Sequence, residues 1–414
     1  MAKTITTGCA IAGGGPAGMM LGYLLARAGV EVLVLEKHAD FLRDFRGDTI
    51  HPSTLEVMHE LGLLDQFLKL PHQKVQEISG VIGDETITIA DFTHLPTRCH
   101  FIAFIPQWDF LDFLAVHGKR YPGFNLKMKA EVDDLIWSGD RVVGLKAKLP
   151  RGMLEVHADL VVGADGRHSA VRRLAKLEVQ DLGAPMDVLW LSLSKRPGDG
   201  SQAVGRFQAG RLFVMLDRGD YWQCAYVIPK DGFGQIRCKG LDAFRQDIAT
   251  LNPALANRVN EIASWDDVKL LTVRVDRLKR WYRDGLLCIG DAAHAMSPVG
   301  GVGINLAIQD AVAAANILAG PLREGPVSEG LLRKVQDRRE WPTRMTQAVQ
   351  LIIQNRIIQN VLTMTVDPRP PFVARLLKRF PFLRRIPGRL IGMGFRPEHV
   401  QVPEIRNQKS EIDD

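Results

Sequence analysis

Three glycine-bearing segments could bind the phosphates and ribose of a nucleotide, and each follows an apolar run that favours a buried strand. They are residues 13–18 (Gly-Gly-Gly-Pro-Ala-Gly), 163–166 (Gly-Ala-Asp-Gly) and 290–294 (Gly-Asp-Ala-Ala-His). Because glycine has no side chain, backbone N–H groups at such positions can approach an anion closely. Three segments in this order predict one composite nucleotide site rather than a single local loop.

The first segment fits the pattern G-x-G-x-x-G in a strand–helix context. Residues 5–12 are short and apolar, as expected for a parallel strand that is buried on both faces. Gly13 allows a tight turn, Gly15 lets the backbone approach a pyrophosphate, and Gly18 lets helix and strand pack closely. Residues 19–28 are rich in Leu, Met and Ala, which predicts a helix. Its N-terminus would supply partial positive charge to the phosphates.

An acid at the end of the next strand completes this unit. Glu36 follows the apolar residues 30–35 and stands 18 residues after Gly18, where a carboxylate can accept from a ribose hydroxyl. The same carboxylate would repel a 2′-phosphate. The first segment therefore predicts a βαβ unit that binds NAD or FAD.

The third segment and the residues after it point to the flavin dinucleotide. Asp291 follows a predicted buried strand at a turn, a position suited to fixing a hydroxylated cofactor chain. Gly300, Gly301 and Gly303 leave room for a flat ring to approach the backbone. A helix predicted over residues 305–315 would direct its positive N-terminus at that ring.

From about residue 5 to residue 345, the chain resembles the FAD-dependent class A flavoprotein monooxygenases, the para-hydroxybenzoate hydroxylase-like aromatic hydroxylases. Besides the three segments, the resemblance rests on residues 159–172 (DLVVGADGRHSAVR), 286–294 (LLCIGDAAH) and 298–305 (PVGGVGIN). The FAD contacts that the motifs and the resemblance imply are Gly13, Gly15, Pro16, Ala17, Gly18, Glu36, Lys37, Arg46, Gln107, Asp165, Gly166, Asp291, Pro298, Gly301, Gly303, Ile304 and Asn305.

The resemblance implies a monooxygenase that uses FAD, with NADPH or NADH as reductant and O₂ as co-substrate. Oxygen would add to the reduced flavin as a C4a-hydroperoxide and pass to an electron-rich ring, so few protein acids or bases are needed. Candidate residues on the substrate side are His51, Asp48 and Pro298. Asp48 could instead cap the helix that is predicted to begin near Pro52. His294 either orients its loop or acts as a base.

The substrate is expected to be an apolar aromatic, phenolic, quinone-like or polyketide-like molecule. Benzoate hydroxylases of this family pair an arginine with the substrate carboxylate, whereas the loosely matching stretch here, residues 213–216, is apolar. Arg206, Arg211 and Arg218 lie close by in the sequence. The candidate lining residues, each of which could equally belong to the core of the sheet, are Trp190, Phe213, Met215 and Tyr226.

The predicted fold class is α/β, with a Rossmann-like FAD-binding domain interleaved with a mixed or antiparallel β-sheet substrate domain and a helical C-terminal region. Residues 1–70, 97–178 and 271–330 are assigned to the FAD-binding domain. Residues 71–96 and 179–270 are assigned to the substrate sheet, because apolar residues alternate there between turn signals. Residues 331–414 are assigned to the C-terminal helical region.

Composition agrees with a globular enzyme. The five cysteines are scattered without the spacing of metal ligands, and no metal is expected. We also expect no signal peptide, no membrane span and a reduced, cytoplasmic setting. Nucleic acid is not an expected partner, because no recognition module is present.

Much of the +6 net charge lies in residues 375–389, where arginine and lysine alternate with large apolar residues. This stretch could pack on its own domain, contact a membrane surface peripherally or form a homodimer interface.

Three other functions share this fold. A flavin-dependent halogenase is disfavoured, since its W-x-W-x-I-P signature is replaced by Cys-Ala-Tyr-Val-Ile-Pro at residues 224–229. An FAD-linked reductase or dehydrogenase acting on a prenyl or quinone substrate is the main alternative. A non-catalytic escort-type protein would lack the intact FAD segments.

Overall fold

The computed structural model describes residues 3–42, 48–199 and 204–405 of the 414-residue chain. Within these residues the strands are β1 (Lys3–Ala12), β2 (Val32–Glu36), β3 (Thr49–Ile50), β4 (Gln73–Val75), β5 (Glu77–Ile82), β6 (Glu85–Asp91), β7 (Ile102–Phe104), β8 (Phe124–Met128), β9 (Glu131–Ser138), β10 (Arg141–Lys148), β11 (Met153–Gly163), β12 (Val179–Asp181), β13 (Met186–Ser194), β14 (Val204–Gln208), β15 (Arg211–Asp217), β16 (Tyr221–Pro229), β17 (Lys269–Leu271), β18 (Asp276–Leu278), β19 (Tyr282–Arg283) and β20 (Leu286–Cys288).

The α-helices of the same residues are α1 (Pro16–Arg27), α2 (Pro52–Glu60), α3 (Leu64–Phe67), α4 (Gln107–Gly118), α5 (Ala170–Leu174), α6 (Phe233–Lys239), α7 (Leu241–Leu251), α8 (Gly303–Glu324), α9 (Glu329–Ile353), α10 (Gln359–Thr363), α11 (Phe372–Arg379) and α12 (Arg385–Gly392). Short 3₁₀ turns at Gly290–Ala292, Val299–Gly301 and Pro381–Arg384, and a π-helical turn at Gln354–Ile358, also enter the argument below.

The first sheet brings five parallel strands side by side in the order β20, β11, β1, β2 and β8. Ala12 pairs with Gly163 of β11 and with Leu35 of β2, and Gly163 pairs with Cys288 of β20. The strands run in the same direction, so their carboxyl ends meet at one edge of the sheet. Ligands of open α/β sheets bind at this edge.

Local sequence explains the elements that flank this edge. β2 reads Val-Leu-Val-Leu-Glu and is wholly buried, as a strand covered on both faces should be. α1 begins with Pro16 at its first turn, and Gly29 follows its end at a φ of +81°. α8 packs against α1. Residues 299–324, which include α8, are long and apolar enough to cross a membrane, yet 72% of their apolar window is buried in the protein, as in a core helix.

The second sheet has the order β17, β13, β16, β15, β14, β5, β6 and is mainly antiparallel. Its outer face packs against α7 through Phe213, Tyr226 and Phe244. We call residues 298–303 (Pro-Val-Gly-Gly-Val-Gly) the glycine-rich loop. Val299 of this loop packs on the inner face of the second sheet, whose residues are Val188, Trp190, Leu212, Val214, Ala225 and Val227. The inner face is therefore the one that is turned towards the glycine-rich loop and the first sheet.

The C-terminal helices bind the two sheets together. α9 packs on α8, while Ile358 of the π-helical turn lies on the inner face of the second sheet. α11 and α12 cover β6, the edge strand of that sheet. The predicted α/β fold class with a second sheet and a C-terminal helical region is confirmed. The predicted domain boundaries remain predictions.

Candidate functional site

The first two glycine-bearing segments meet in van der Waals contact at the carboxyl edge of the first sheet. A Cβ atom at Gly13, where φ is +106°, would lie 2.4 Å from the carbonyl oxygen of Ala164. A Cβ atom at Gly18 would lie 2.0 Å from the carbonyl oxygen of Gly13. Both positions therefore require glycine for close packing of the backbone, which is the role predicted for Gly18.

Gly15 and Gly166 differ, since nothing lies within 4 Å of the position that a Cβ atom would occupy at either one. The first segment is therefore open at Gly15 and the second at Gly166, and a phosphate could approach the backbone at both positions. Glu36 is buried beside the first segment. Its carboxylate accepts from the backbone N–H of Gly14 at 3.0 Å and from that of His38 at 3.0 Å. This places the acid where the sequence predicts a ribose contact.

Asp165 supports the second segment. Its Oδ2 accepts from the backbone N–H groups of Ala170 (2.7 Å) and Val171 (3.1 Å), at the start of α5. Burial raises the pKa of Asp165, against the lowering effect of these hydrogen bonds. Its Oδ1 is buried and has no partner within the described residues. An orphaned carboxylate oxygen at this edge is suited to a hydroxyl group of a bound cofactor.

The third segment rests on a buried ionic network. The backbone N–H of Gly290 donates to Asp310 Oδ2 at 3.0 Å, and His294 Nε2 lies 2.6 Å from the same oxygen. Arg339 binds the other oxygen at 3.0 Å and also contacts Glu398 at 3.2 Å. Burial alone would raise the pKa of Asp310, but His294 and Arg339 outweigh it, and the pKa is lowered. His294 thus holds the loop, which is the first of the two roles predicted for it.

The loop that follows is held by two side-chain amides, one on α9 and one directly after it. Gln350 accepts from the backbone N–H of Ser297 at 3.2 Å and donates to the carbonyl oxygens of Ser297 and Val299. Gln354 donates to the Ser297 hydroxyl. Pro298 lies between these anchored residues. The chain at Pro298 is therefore fixed by α9 in a way that no local motif indicates.

Asn305 ties the start of α8 to the chain at Thr49. Its Oδ1 accepts from the backbone N–H of His51 (2.8 Å) and from Thr54 Oγ1 (2.7 Å). Its Nδ2 donates to the carbonyl oxygens of Thr49 and Gly301. The side chain is thus used within the protein, and a cofactor contact from Asn305 would have to come from its backbone.

Asp48 forms a buried ion pair that joins the second sheet to the chain just before β3. Its Oδ2 lies 2.8 Å from Arg218, and its Oδ1 accepts from the backbone N–H of Gln107 at 3.2 Å. Arg218 also binds Gln223. Burial raises the pKa of Asp48, against the opposing charge of Arg218. The suggested cap of α2 by Asp48 is not formed: the residue at the N-cap is His51, without a side-chain cap.

His51 is the second substrate-side candidate. Its Nδ1 lies 2.7 Å from the carbonyl oxygen of Ile391, which can only accept, so Nδ1 carries the proton and Nε2 the lone pair. Nε2 is buried without a partner in the described residues. Burial lowers the pKa of His51 to about 4, so the ring is neutral near pH 7.

The four predicted lining residues divide between the two faces of the second sheet. Phe213 pairs with Tyr226 and lies with Met215 in the cluster packed against α7, whereas Trp190 pairs with Ala225 on the inner face. The fold thus gives Phe213, Met215 and Tyr226 a packing role in the core, and their contact with substrate stays a prediction without further support. Trp190 lies on the face toward the glycine-rich loop.

Most of the remaining predicted cofactor residues stand at the first turns of helices. Pro16 and Ala17 begin α1, Gly303 and Ile304 begin α8, and Gln107 begins α4. Lys37 is exposed. Burial lowers the pKa of His168, and the positive charges of Arg167, Arg274 and Lys37 lower it further. Arg46 lies outside the described residues. Cations and helix N-termini of this kind suit a pyrophosphate.

Comparisons with known proteins agree with this geometry. The sequence model of the FAD binding domain family matches residues 6–349, and the chain belongs to this family of FAD-dependent monooxygenases. It is an FAD-dependent oxidoreductase. The protein is 33% identical over 395 residues to 6-methylpretetramide 4-monooxygenase from Streptomyces rimosus, a match that covers 93% of this chain and 92% of the relative.

Solved structures show the same fold at lower identity. PqsL of P. aeruginosa in complex with 2-aminobenzoylacetate has a TM-score of 0.74 at 20% identity, covering 86% of this chain and 98% of PqsL. The myxobacterial chondrochloren halogenase CndH has a TM-score of 0.73 at 20% identity, covering 97% of this chain and 94% of CndH. The fold alone therefore does not separate oxygenation from halogenation.

The described residues fit FAD. The loop of residues 13–18 is open at Gly15, Glu36 lies beside it, and Asp165 presents an unpartnered oxygen at the same edge.

We expect the Asp291→Ala protein to fold but to bind FAD about 10- to 100-fold more weakly, from loss of charge-assisted hydrogen bonds to the cofactor. Flavin released in dilution and filtration experiments would measure this change.

Asp266 provides the matched control for Asp291. It occupies the same position in another 3₁₀ turn, Trp265–Asp267, outside the glycine-bearing segments. Asp266→Ala should retain FAD as the wild type does. Equal FAD affinity in the Asp291→Ala protein and the wild type would mean that Asp291 is only a turn residue.

The pKa of His51 predicts a pH dependence of stability. Because its pKa falls from 6.5 to about 4 on folding, the unfolded chain binds a proton that the folded protein does not bind between those values. Stability should therefore fall as pH is lowered from 6.5 towards 4, by at most about 1.4 kcal/mol per pH unit from this group. His51→Gln should remove this component from unfolding free energies measured between pH 5 and 7.5.

The exposed His100 supplies the control, since His100→Gln should leave the pH profile of unfolding unchanged. A His51→Gln profile parallel to that of the wild type would show that folding does not lower the pKa of His51.

Proposed function

We propose that this protein hydroxylates an apolar, polycyclic aromatic or polyketide-like ring, with FAD as cofactor, NADH or NADPH as reductant and O₂ as co-substrate. The observation that carries the proposal is the junction of the apolar inner face of the second sheet with the glycine-rich loop at Val299. A flat apolar molecule placed there would lie between Trp190 on the sheet and the loop. The near full-length similarity to a monooxygenase named for a pretetramide substrate supports this substrate class.

The charge arrangement supports a substrate without a carboxylate. Arg218 is buried at the end of β15, but Asp48 and Gln223 occupy its guanidinium group. The Asp48 carboxylate balances the charge of Arg218, so the Arg218 guanidinium group has little capacity left for a substrate carboxylate. Arg211 is paired with Asp247 at 2.7 Å. The inner face beside Val299 is apolar, with Val188, Val214 and Ala225 among its residues, and such a surface would favour an apolar ring by exclusion of water.

The protein's own residues have positioning roles in this proposal. FAD, when bound, supplies the redox chemistry and the activation of O₂. Gly15, Gly166 and the N-terminus of α1 bind its pyrophosphate, and Glu36 and Asp291 bind its hydroxyl groups. Trp190 orients the substrate ring, and the segment around Pro298, fixed by α9, sets the distance between the ring and the flavin.

A phenolic hydroxyl of the substrate would donate a hydrogen bond to His51. The lone pair on Nε2 has no partner in the described residues, and the carbonyl oxygen of Ile391 holds the ring in this tautomer. The low pKa of His51 makes it a weak base, suited to accepting a hydrogen bond from a phenol rather than to holding a full proton at pH 7. Asp48 acts in the same place through its ion pair with Arg218, as a positioning residue.

The proposal is tested by anaerobic stopped-flow reduction of the bound flavin with NADH and NADPH, across a panel of tetracyclic phenols, naphthols, quinols and simple hydroxybenzoates. We expect a large polycyclic phenol to perturb the flavin spectrum and to accelerate its reduction. Acceleration by hydroxybenzoates alone, with no response to the larger phenols, would overturn the substrate class. Reduction of the flavin by the organic compound itself would favour the dehydrogenase alternative.

A further inference from the structure

The C-terminal part of the chain concentrates positive charge and exposed apolar side chains on one surface. Between Pro368 and Pro397 the sequence has eight arginine or lysine residues and no aspartate or glutamate. This segment carries +8 against +6 for the entire chain, so the remaining residues sum to −2. The protein as a whole is therefore almost uncharged apart from this surface.

Large apolar side chains project from the same segment. Phe372, Phe382 and Ile386 are 70%, 61% and 59% exposed. Ile386 and Leu390 stand four residues apart on one face of α12, and Phe382 lies in the 3₁₀ turn directly before this helix; we call these three side chains the apolar row. Exposed apolar rows of this size on a globular protein mark a site of association.

Cations flank the apolar row. Arg385 and Arg389 precede Ile386 and Leu390 by one position and form a parallel row, and both are exposed. Arg375, Arg379 and Arg389 make no ion pair with the described residues, while Lys378 is paired with Glu85 at 2.6 Å. These three arginines are therefore free to meet an anionic surface, whereas Arg385 lies 3.0 Å from His94 Nε2. We call residues 372–390 the C-terminal basic surface.

This surface is attached firmly to the rest of the protein. A Cβ atom at Gly388 would lie 2.0 Å from the carbonyl oxygen of Asp91 at the end of β6, which shows how closely α12 packs there. The carbonyl oxygen of Ile391 binds His51. The exposed apolar groups are thus presented by a packed element rather than by a loose tail.

We propose that the C-terminal basic surface docks on an anionic lipid bilayer, with Phe382, Ile386 and Leu390 inserted below the headgroups. Arginines beside an apolar row match the two layers of such a membrane, phosphate headgroups above acyl chains. A second copy of this chain is a poor partner, since a symmetric contact would oppose two surfaces of charge +6, and the rest of the chain has no net charge to offset them. This inference does not depend on the proposed substrate.

The test is co-sedimentation of the FAD-loaded protein with vesicles of phosphatidylcholine alone and with vesicles that also contain phosphatidylglycerol. We expect binding to the anionic vesicles only, with weakening at high salt. Arg385→Ala and Arg389→Ala should each lower the partition coefficient about fivefold. Phe382→Ser together with Ile386→Ser should lower it about tenfold or more, since apolar insertion is lost.

Matched controls lie at the C-terminal end of α4 and directly after it. Val116 is 60% exposed, like Ile386, and Lys119 and Arg120 are exposed cations. Val116→Ser and the Lys119→Ala, Arg120→Ala pair should bind vesicles as the wild type does. A fluorophore at Phe382→Cys, in a Cys238→Ser background, should shift to the blue on anionic vesicles, and one at Val116→Cys in the same background should not.

Four outcomes would overturn the proposal. They are no binding to anionic vesicles, equal binding to neutral vesicles, equal weakening by the α4 variants, and binding that the arginine variants lower but the Phe382 and Ile386 variants do not. The last would indicate adsorption of a basic protein to any polyanion, such as an acidic protein. Dimerisation that Phe382→Ser abolishes, without vesicle binding, would assign the surface to a second copy.

Discussion

Gly15→Glu is expected to give a folded protein that purifies without FAD. Nothing lies within 4 Å of the position of a Cβ atom at Gly15, and the residue has a φ of −75°, which any amino acid can adopt. The fold should therefore accept the side chain. The carboxylate would occupy the open point of the loop and repel the pyrophosphate at the N-terminus of α1. We expect loss of flavin binding by more than about 100-fold.

The measurements are the flavin absorbance of the purified variant and its thermal unfolding, compared with deflavinated wild type. Gly234→Glu is the matched control, because Gly234 is equally open but lies on α6. It should purify yellow. A yellow, FAD-saturated Gly15→Glu protein would refute the assignment of this loop to the pyrophosphate.

Arg339→Met is expected to cost about 3–5 kcal/mol of stability, which is the usual penalty for removing one partner of a buried ion pair. Arg339 is 0% exposed and bridges Asp310 and Glu398, which are also buried. Without it, the charge of Asp310 would be left with His294 alone. Because Asp310 also accepts from the backbone N–H of Gly290, the turn that bears Asp291 should loosen, and FAD should dissociate more readily.

Arg338→Met is the control for this change. Arg338 is the neighbour of Arg339 and binds the same Glu398 at 2.7 Å, but its side chain is 35% exposed. A partly exposed pair is worth at most about 1 kcal/mol. Denaturant unfolding of the deflavinated proteins should therefore separate the two variants clearly. Equal losses would show that the buried network contributes nothing beyond an ordinary surface pair.

The cofactor half of the molecule was largely predictable because its signals are local. Gly13 and Gly18 are required by close contacts within the strand–turn–helix unit, and Glu36 ends the next strand, so their spacing is fixed over a short stretch of sequence. The parallel pairing of β1 with β2 follows from the βαβ connection through α1. The second and third segments join this unit through the pairing of β11 with β1 and of β20 with β11, which connects distant parts of the chain.

The substrate half was less predictable, since alternation along a strand defines two faces but not which of them meets the cofactor. Trp190 pairs with Ala225, and Phe213 pairs with Tyr226, the next residue of β16. Neighbouring residues of a strand point to opposite faces, so Trp190 and Phe213 cannot line one cavity. Only the packing of Val299 on the inner face distinguishes the two.

Long-range polar contacts were missed for a different reason. The pair Asp48–Arg218 and the network of His294, Asp310 and Arg339 join residues far apart in the chain, and no motif links them. A signal was present at the end of α9 and in the π-helical turn after it, where Gln347, Gln350 and Gln354 recur at intervals of three and four residues. Amides on one face of a helix indicate a buried face that binds backbone groups rather than packing on apolar ones.

The central claim is that this flavoprotein inserts an oxygen atom from O₂ into an apolar aromatic substrate. It is tested most directly by turnover under ¹⁸O₂ with NADH or NADPH and a polycyclic phenol, followed by mass spectrometry of the product. We predict one ¹⁸O atom in the new hydroxyl group and consumption of the nicotinamide. A product that is oxidised or reduced without ¹⁸O, or a flavin that the organic substrate reduces directly, would contradict the account and identify a reductase or dehydrogenase of the same fold.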